Sequence, residues 1–231
     1  MQRHLFVGAV TAIGLTLTLP PTMKLGVAVA SEGGQEYTVS VTNLTRGQQF
    51  TPILAVTHTS QIGLFSLGAP ASPELARLAE EGNTGPLSML LTASGRALDV
   101  QTIDGLLGPG ETRTFTVRAR GHFRRLSLAA MLIPTNDAFF AVNGVQLPSD
   151  RRSLVLHRPA YDSGSERNDE LCASIPGPSF AECGGPGGGM VVGGGESYVF
   201  VHAGIHGIGN LIASERDWRN PVVRIAVRRA D

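Results

Sequence analysis

Lysine is almost missing: Lys24 is the only one in 231 residues, so nearly every cation is an arginine. Neither sign of charge is in excess, with 19 Lys+Arg against 19 Asp+Glu. A balance of zero argues against a nucleic-acid binder, which needs a basic face to neutralise phosphates. Charge of both signs is sparse at 16%, and aromatics make up only 6%. There are only two cysteines, so no dense disulfide framework can replace a core. Beyond the N-terminus there is no apolar run near the roughly twenty residues of a membrane span. What the chain does have is glycine (29) and proline (14), turn-formers that disfavour many long helices and suit short strands joined by tight turns. A hydrophobic content of 42% is enough for a core and excludes global disorder. At 24.3 kDa this makes one large domain or two small ones.

The first thirty residues read as an address. Arg3 and His4 form a basic start, Leu5 to Leu19 is uncharged and apolar, and Ala28-Val29-Ala30 is a small-x-small cleavage pattern. The run is short for an uncleaved anchor, the competing reading. We therefore expect a signal peptide over 1–30 and a mature domain over 31–231. Cleavage removes Arg3 and Lys24 and no acid, leaving 17 basic residues against 19 acidic ones. Arginine in place of lysine suggests a GC-rich genome, and an exported bacterial protein is the simplest setting. In an oxidising compartment Cys172 and Cys183 are expected to form a disulfide. The alternative, a Cys/Cys metal site, lacks the CxxC spacing of zinc sites.

Along the mature chain the pattern is β. Glu36 to Thr42 alternates apolar and polar residues with period two, as a half-buried strand does. Further strands are expected at 53–57, 113–117, 125–131, 197–201 and 222–227, with a turn at Gly121-His122. One helix stands out, with Ser72 as N-cap, Pro73 and Glu74 in its first turn, Leu75, Leu78 and Ala79 on one face, and Gly82 to close it. Eight or so strands with one or two short helices imply an all-β fold, an antiparallel β-sandwich. The glycine-rich stretch from Glu182 to Gly195 is expected to be a mobile loop tethered by the cysteines.

Three clusters can carry chemistry. Ile133 to Phe139 leaves an apolar strand and turns at Pro134-Thr135-Asn136-Asp137. Tyr161-Asp162-Ser163-Gly164-Ser165-Glu166, followed by Asn168, Asp169 and Glu170, sets acids among glycine and serine. Such an oxygen-rich loop suits a hard cation such as Ca²⁺, although it is not an EF-hand. The plainer alternative is an Asx-turn, with Asp162 accepting a backbone N–H. In the third cluster, His202 and His206 would share one face of a strand, with His58 a possible third member, and could bind a transition metal or move protons. Structural histidines bonded to backbone groups are the competing reading, and no nucleophile motif accompanies them.

Taken together, Tyr37 to Thr45 with Gln48, Phe50, Thr51 and Pro52, the segment Ser127 to Asp137, Tyr161 to Glu166, and Arg219-Asn220-Pro221-Val222-Val223-Arg224 resemble the spondin N-terminal (F-spondin) domain family. The form is more similar to its stand-alone bacterial members than to animal ones, which carry thrombospondin repeats. The resemblance implies a secreted, C2-like β-sandwich holding a calcium ion between loops at one end. The family's acids fall on Asp137, Asp162 and Glu166, the last being Asp in the animal proteins. The cysteine loop and the glycines after it depart from the animal pattern, so animal binding partners are not carried over.

The expectation is therefore an exported, non-enzymatic, Ca²⁺-binding module for adhesion or surface interaction, secreted or periplasmic. Its partner would be an unidentified extracellular or cell-surface molecule, not nucleic acid, and no membrane span would remain after signal removal. The alternative is a secreted transition-metal protein or enzyme using His202 and His206.

Overall fold

A computed structural model describes residues 34–189 and 193–230. The expected leader, residues 1–30, lies outside the described residues. Strand β1 (Gln35–Asn43) keeps the alternation of its sequence, with Tyr37, Val39 and Val41 buried and Thr38, Ser40 and Thr42 half-buried. It sits between β5 (Thr112–Ala119) and β11 (Val223–Arg229), antiparallel to both, and β8 (Leu154–Arg158) extends the sheet beyond β11. On its outer face Ser40 bonds Thr114 (2.9 Å) and Thr42 bonds Thr112 (2.8 Å), cross-strand pairs that help fix the register.

The second sheet has the order β10 (Phe200–Val201), β9 (Ala160–Asp162), β7 (Ala138–Gln146), β6 (Arg125–Ile133), β3 (Ile53–His58), β4 (Ala97–Ile103), and β2 (Gln49–Phe50) adds to β6. Here β3 and β6 are buried almost throughout rather than on alternate residues. The reason is that both faces are covered. One packs against the first sheet through Phe50, Phe140, Leu128 and Ala130, meeting Tyr37, Val39 and Ile225. The other lies under α1 (Pro73–Glu81) and α2 (Gly85–Ala93), whose Leu75, Leu78, Leu87 and Leu91 pack on Leu54, Val56, Ala129 and Phe139. A strand with two covered faces reads as a continuous apolar run. Burying each of those leucines contributes about 1.5–3 kcal/mol.

Helix α1 forms as its sequence dictates. The Ser72 hydroxyl accepts from the Leu75 N–H (3.2 Å), and Gly82 closes the helix at φ +67°. The architecture is the expected antiparallel sandwich. Among the described residues it has eleven strands and three short helices, the third being α3 (Ala213–Arg216).

One local expectation changes. The strand expected over 197–201 shrinks to Phe200–Val201, because Ser197 takes φ +67° and turns the chain. Within the 182–195 stretch, Gly187, Gly188 and Gly195 sit where backbone approaches backbone, whereas Gly184, Gly185, Gly189 and Gly193 have nothing within 4 Å of an added Cβ. A Cβ on Gly187 or Gly188 would lie 1.9 Å from the Ile175 carbonyl oxygen or 1.8 Å from that of Ala173, and one on Gly195 would lie 2.5 Å from that of Gly164. The Cys172–Cys183 disulfide is present. Beside it Arg216 grips the Glu182 carboxylate at 2.5 and 2.8 Å and donates to the Gly47 carbonyl, tying this segment to the β1–β2 connection.

Candidate functional site

At one end of the second sheet, β6 runs into the turn Pro134–Asp137 and returns as β7. Thr135 shapes the turn, its hydroxyl donating to the Leu132 carbonyl (2.5 Å) and accepting from the Ala138 N–H (3.1 Å). Asn136 ties the turn to a neighbouring loop, donating to Asp169 and accepting from the Glu170 N–H. Asp137 then enters the interior, fully buried. Because β9 pairs with β7, with Ala138 opposite Asp162, the loop after Asp162 folds over this turn.

The two aspartates are held differently. Asp137 Oδ2 accepts from the Ser163 hydroxyl (2.8 Å), the Ser165 N–H (3.0 Å) and the Glu166 N–H (3.2 Å). Its Oδ1 is buried and meets no hydrogen-bond donor among the described residues. Asp162 Oδ1 accepts from the Gly164 N–H (2.7 Å), the Asx-turn of the plainer sequence reading, and Oδ2 accepts from Asn168 (2.6 Å). Burial, and then the charge of Asp137, push the Asp162 carboxyl up to about 8 against the pull of those hydrogen bonds. Glu166 is also fully buried, and its backbone bridges Gly193 and Gly194.

The fold thus brings Asp137 and Asp162 together, and the Glu166 N–H onto Asp137. Their side chains do not form a ready-made cage: among the described residues, no three His, Cys, Asp or Glu side chains are disposed to hold a metal ion. The donor chemistry nevertheless suits a hard cation, since Asp137 keeps one buried carboxylate oxygen without a donor while the Ser163 and Ser165 hydroxyls reach its other oxygen. Gly164 is required where the loops meet. It takes φ +67°, and a Cβ there would lie 2.3 Å from the Tyr198 carbonyl oxygen.

The histidines do not share a strand face. His202 follows β10, is buried, and its Nδ1 accepts from the Gly204 N–H (2.9 Å), so Nε2 carries the proton. That nitrogen lies 3.6 Å from Asp162 Oδ2, within ion-pair range. Burial and then the His206 charge push His202 down to about 4, while Asp162 is pushed up. Both shifts run toward the neutral forms, because burial disfavours charge on either group. His206 is exposed and off any strand, contrary to the shared face expected from sequence. The cause is Glu170, a buried carboxylate that accepts the N–H groups of His206 (2.6 Å), Gly207 (2.7 Å) and Ile208 (3.0 Å) and curls the chain. His58 does not join the other two. It pairs with Arg125 at the start of β6, at the far end of the sheet from Asp137.

Sequence reasoning named Asp137, Asp162 and Glu166 but gave no role to Ser163, Ser165 or Asn168, which supply the donors. Their serine and amide side chains beside acids were the available signal.

The Spondin_N family model matches residues 37–166, or 130 of the 231. The match includes the Pro134–Asp137 turn and ends on Glu166, leaving the disulfide segment outside it. No curated protein matches the chain. With more than half of its length covered, the chain belongs to the spondin N-terminal domain family.

Proposed function

We propose that this is an exported, non-catalytic module of the bacterial kind that binds Ca²⁺ through Asp137, Asp162 and Glu166 and acts in adhesion or surface interaction. One observation carries the reading: three carboxylates are fully buried at one end of the sandwich, and Asp137 Oδ1 has no donor. An ionised carboxylate in that setting costs several kcal/mol unless it is compensated. A bound Ca²⁺ supplies positive charge and accepts six to eight oxygens. These residues, with the Ser163 and Ser165 hydroxyls nearby, would hold it and so tie the β6–β7 turn to the 162–166 loop. The ordered loop end then presents a fixed surface to an extracellular partner. Export is supported by the family and by the Cys172–Cys183 disulfide, which persists in oxidising compartments. Among the described residues, no helix is long and apolar enough to cross a membrane.

Calorimetric titration tests the reading. Ca²⁺ binding at millimolar affinity or tighter, lost in Asp137→Asn and Asp162→Asn, supports it. Zn²⁺ or Cu²⁺ binding lost in His206→Ala, with no Ca²⁺ binding, replaces it with the transition-metal reading.

A further inference from the structure

At the end of the sandwich opposite the acids, Arg124, Arg125, His122, Gln61, Gln146 and Ser60 line a cleft of about 570 Å³. That size falls in the range of small-ligand sites, roughly 300–1,000 Å³. Arg125 begins β6 and Ile133 ends it, so eight residue steps of ~3.3 Å place the cleft about 26 Å from the Asp137 turn. No acidic side chain and no Phe, Tyr or Trp lines it.

The two guanidiniums are aimed rather than loose. Arg124 donates to the Tyr37 hydroxyl (3.1 Å), itself fixed by donating to the Pro148 carbonyl (3.0 Å). Arg125 donates to the Gly144 carbonyl (3.0 Å). That carbonyl is presented by a bulge, where Asn143 and Gly144 of β7 stand opposite Ser127 of β6 and Gly144 takes φ +70°. Beneath it the Ser127 oxygen accepts from the Gly144 N–H (2.7 Å) and bonds His58 Nε2 (2.8 Å), while His58 Nδ1 bonds the Thr59 carbonyl (2.7 Å). Each arginine therefore spends one hydrogen bond on a neutral oxygen and keeps most of its five donors. Neither has a carboxylate within ion-pair distance among the described residues.

We propose that this cleft binds an acidic saccharide, a sugar bearing carboxylate or sulfate. Guanidinium forks match planar or tetrahedral oxyanions, and the amides of Gln61 and Gln146 with the Ser60 hydroxyl match sugar hydroxyls. A membrane surface would need exposed apolar groups, and single-stranded nucleic acid would need aromatic platforms. The cleft offers neither. This inference stands apart from the calcium reading.

Titration of the mature protein with four probes tests it: a heparin-derived tetrasaccharide, a galacturonate tetramer, maltotetraose and inorganic sulfate. A charged tetrasaccharide binds at least tenfold more tightly than maltotetraose or sulfate, and the preferred one tells whether sulfate or carboxylate is the anion read. Arg125→Gln and Arg124→Gln each weaken that binding at least tenfold. Exposed Gln61→Ala, which bears on no buried contact, weakens it several-fold with an unchanged melting curve. Calcium chelation leaves it intact. Absence of binding by both charged probes overturns the proposal, as does sulfate binding as tightly as the saccharide, indifference to both arginine variants, or loss of binding in chelator.

Discussion

Replacing Gly164 by Ala separates two costs that usually arrive together. At φ +67° an L-residue costs about 1–2 kcal/mol from the Cβ against its own backbone. At Gly164 the Cβ also meets three backbone atoms, the Tyr198 oxygen at 2.3 Å, nitrogen at 2.7 Å and carbonyl carbon at 2.9 Å. Backbone cannot swing aside as a side chain can, so one of the two segments must move. Movement stretches the Ser197 N–H bond to the Gly164 carbonyl (2.8 Å) and the Gly164 N–H bond to Asp162. Each is worth about 1 kcal/mol, and a buried carboxylate losing a donor costs more. The expected loss is about 3–5 kcal/mol, or roughly 6–20 °C in Tm for a domain of this size. Gly68 is the control, with φ +78° and nothing within 4 Å of its Cβ, so Gly68→Ala should show only the ~1–2 kcal/mol of strain. Urea unfolding of both variants decides. Equal losses would refute the claim that the 164 loop and the 197–199 segment are held in contact.

Three further outcomes are expected. Cys172→Ser with Cys183→Ser should lower stability by about 3 kcal/mol, from the freed unfolded chain, and leave a folded domain detectable by circular dichroism. Burial, and less so the Arg125 charge, hold His58 below its ordinary 6.5. The unfolded chain therefore takes up the proton first, and stability falls as pH drops through 6.5; urea midpoints at pH 7.5 and 5.5 should show a smaller fall in His58→Gln than in wild type. Asp162→Asn removes a buried carboxyl whose ionisation burial and Asp137 disfavour, so in chelator its melting temperature should equal or exceed that of wild type, with no response to added Ca²⁺.

The sequence made some of this legible and hid the rest for identifiable reasons. β1 was readable because only one of its faces is covered, and α1 because Ser72, Pro73 and Gly82 each occupy the position their chemistry favours. α2 has Pro86 in its first turn but weaker signals otherwise: Thr84 makes no side-chain cap, and Met89 and Leu90 are exposed. β7 was obscured by Asn143-Gly144, a pair that usually marks a hairpin turn but here forms a bulge within the strand. The nearness of Asp137 and Asp162 depends on β7 pairing with β9, a tertiary fact that only the family resemblance anticipated. The shared strand face expected of His202 and His206 did not form because Glu170, far away in sequence, claims the backbone around His206. Nothing local marks Arg124 and Arg125 as lining a cleft, since the cleft exists only once β3, β6 and β7 are assembled.

The most direct test of the central claim is the melting curve of the wild-type protein with saturating Ca²⁺ and with excess chelator. Binding to the native state adds RT ln(1 + [Ca²⁺]/Kd), about 2.7 kcal/mol at a hundredfold excess over Kd. At ~2–4 °C per kcal/mol this predicts a melting temperature about 5–10 °C lower in chelator. Mg²⁺ should restore little, because it demands a tighter octahedron. Superimposable curves, on protein shown afterwards to be free of metal, would contradict the account.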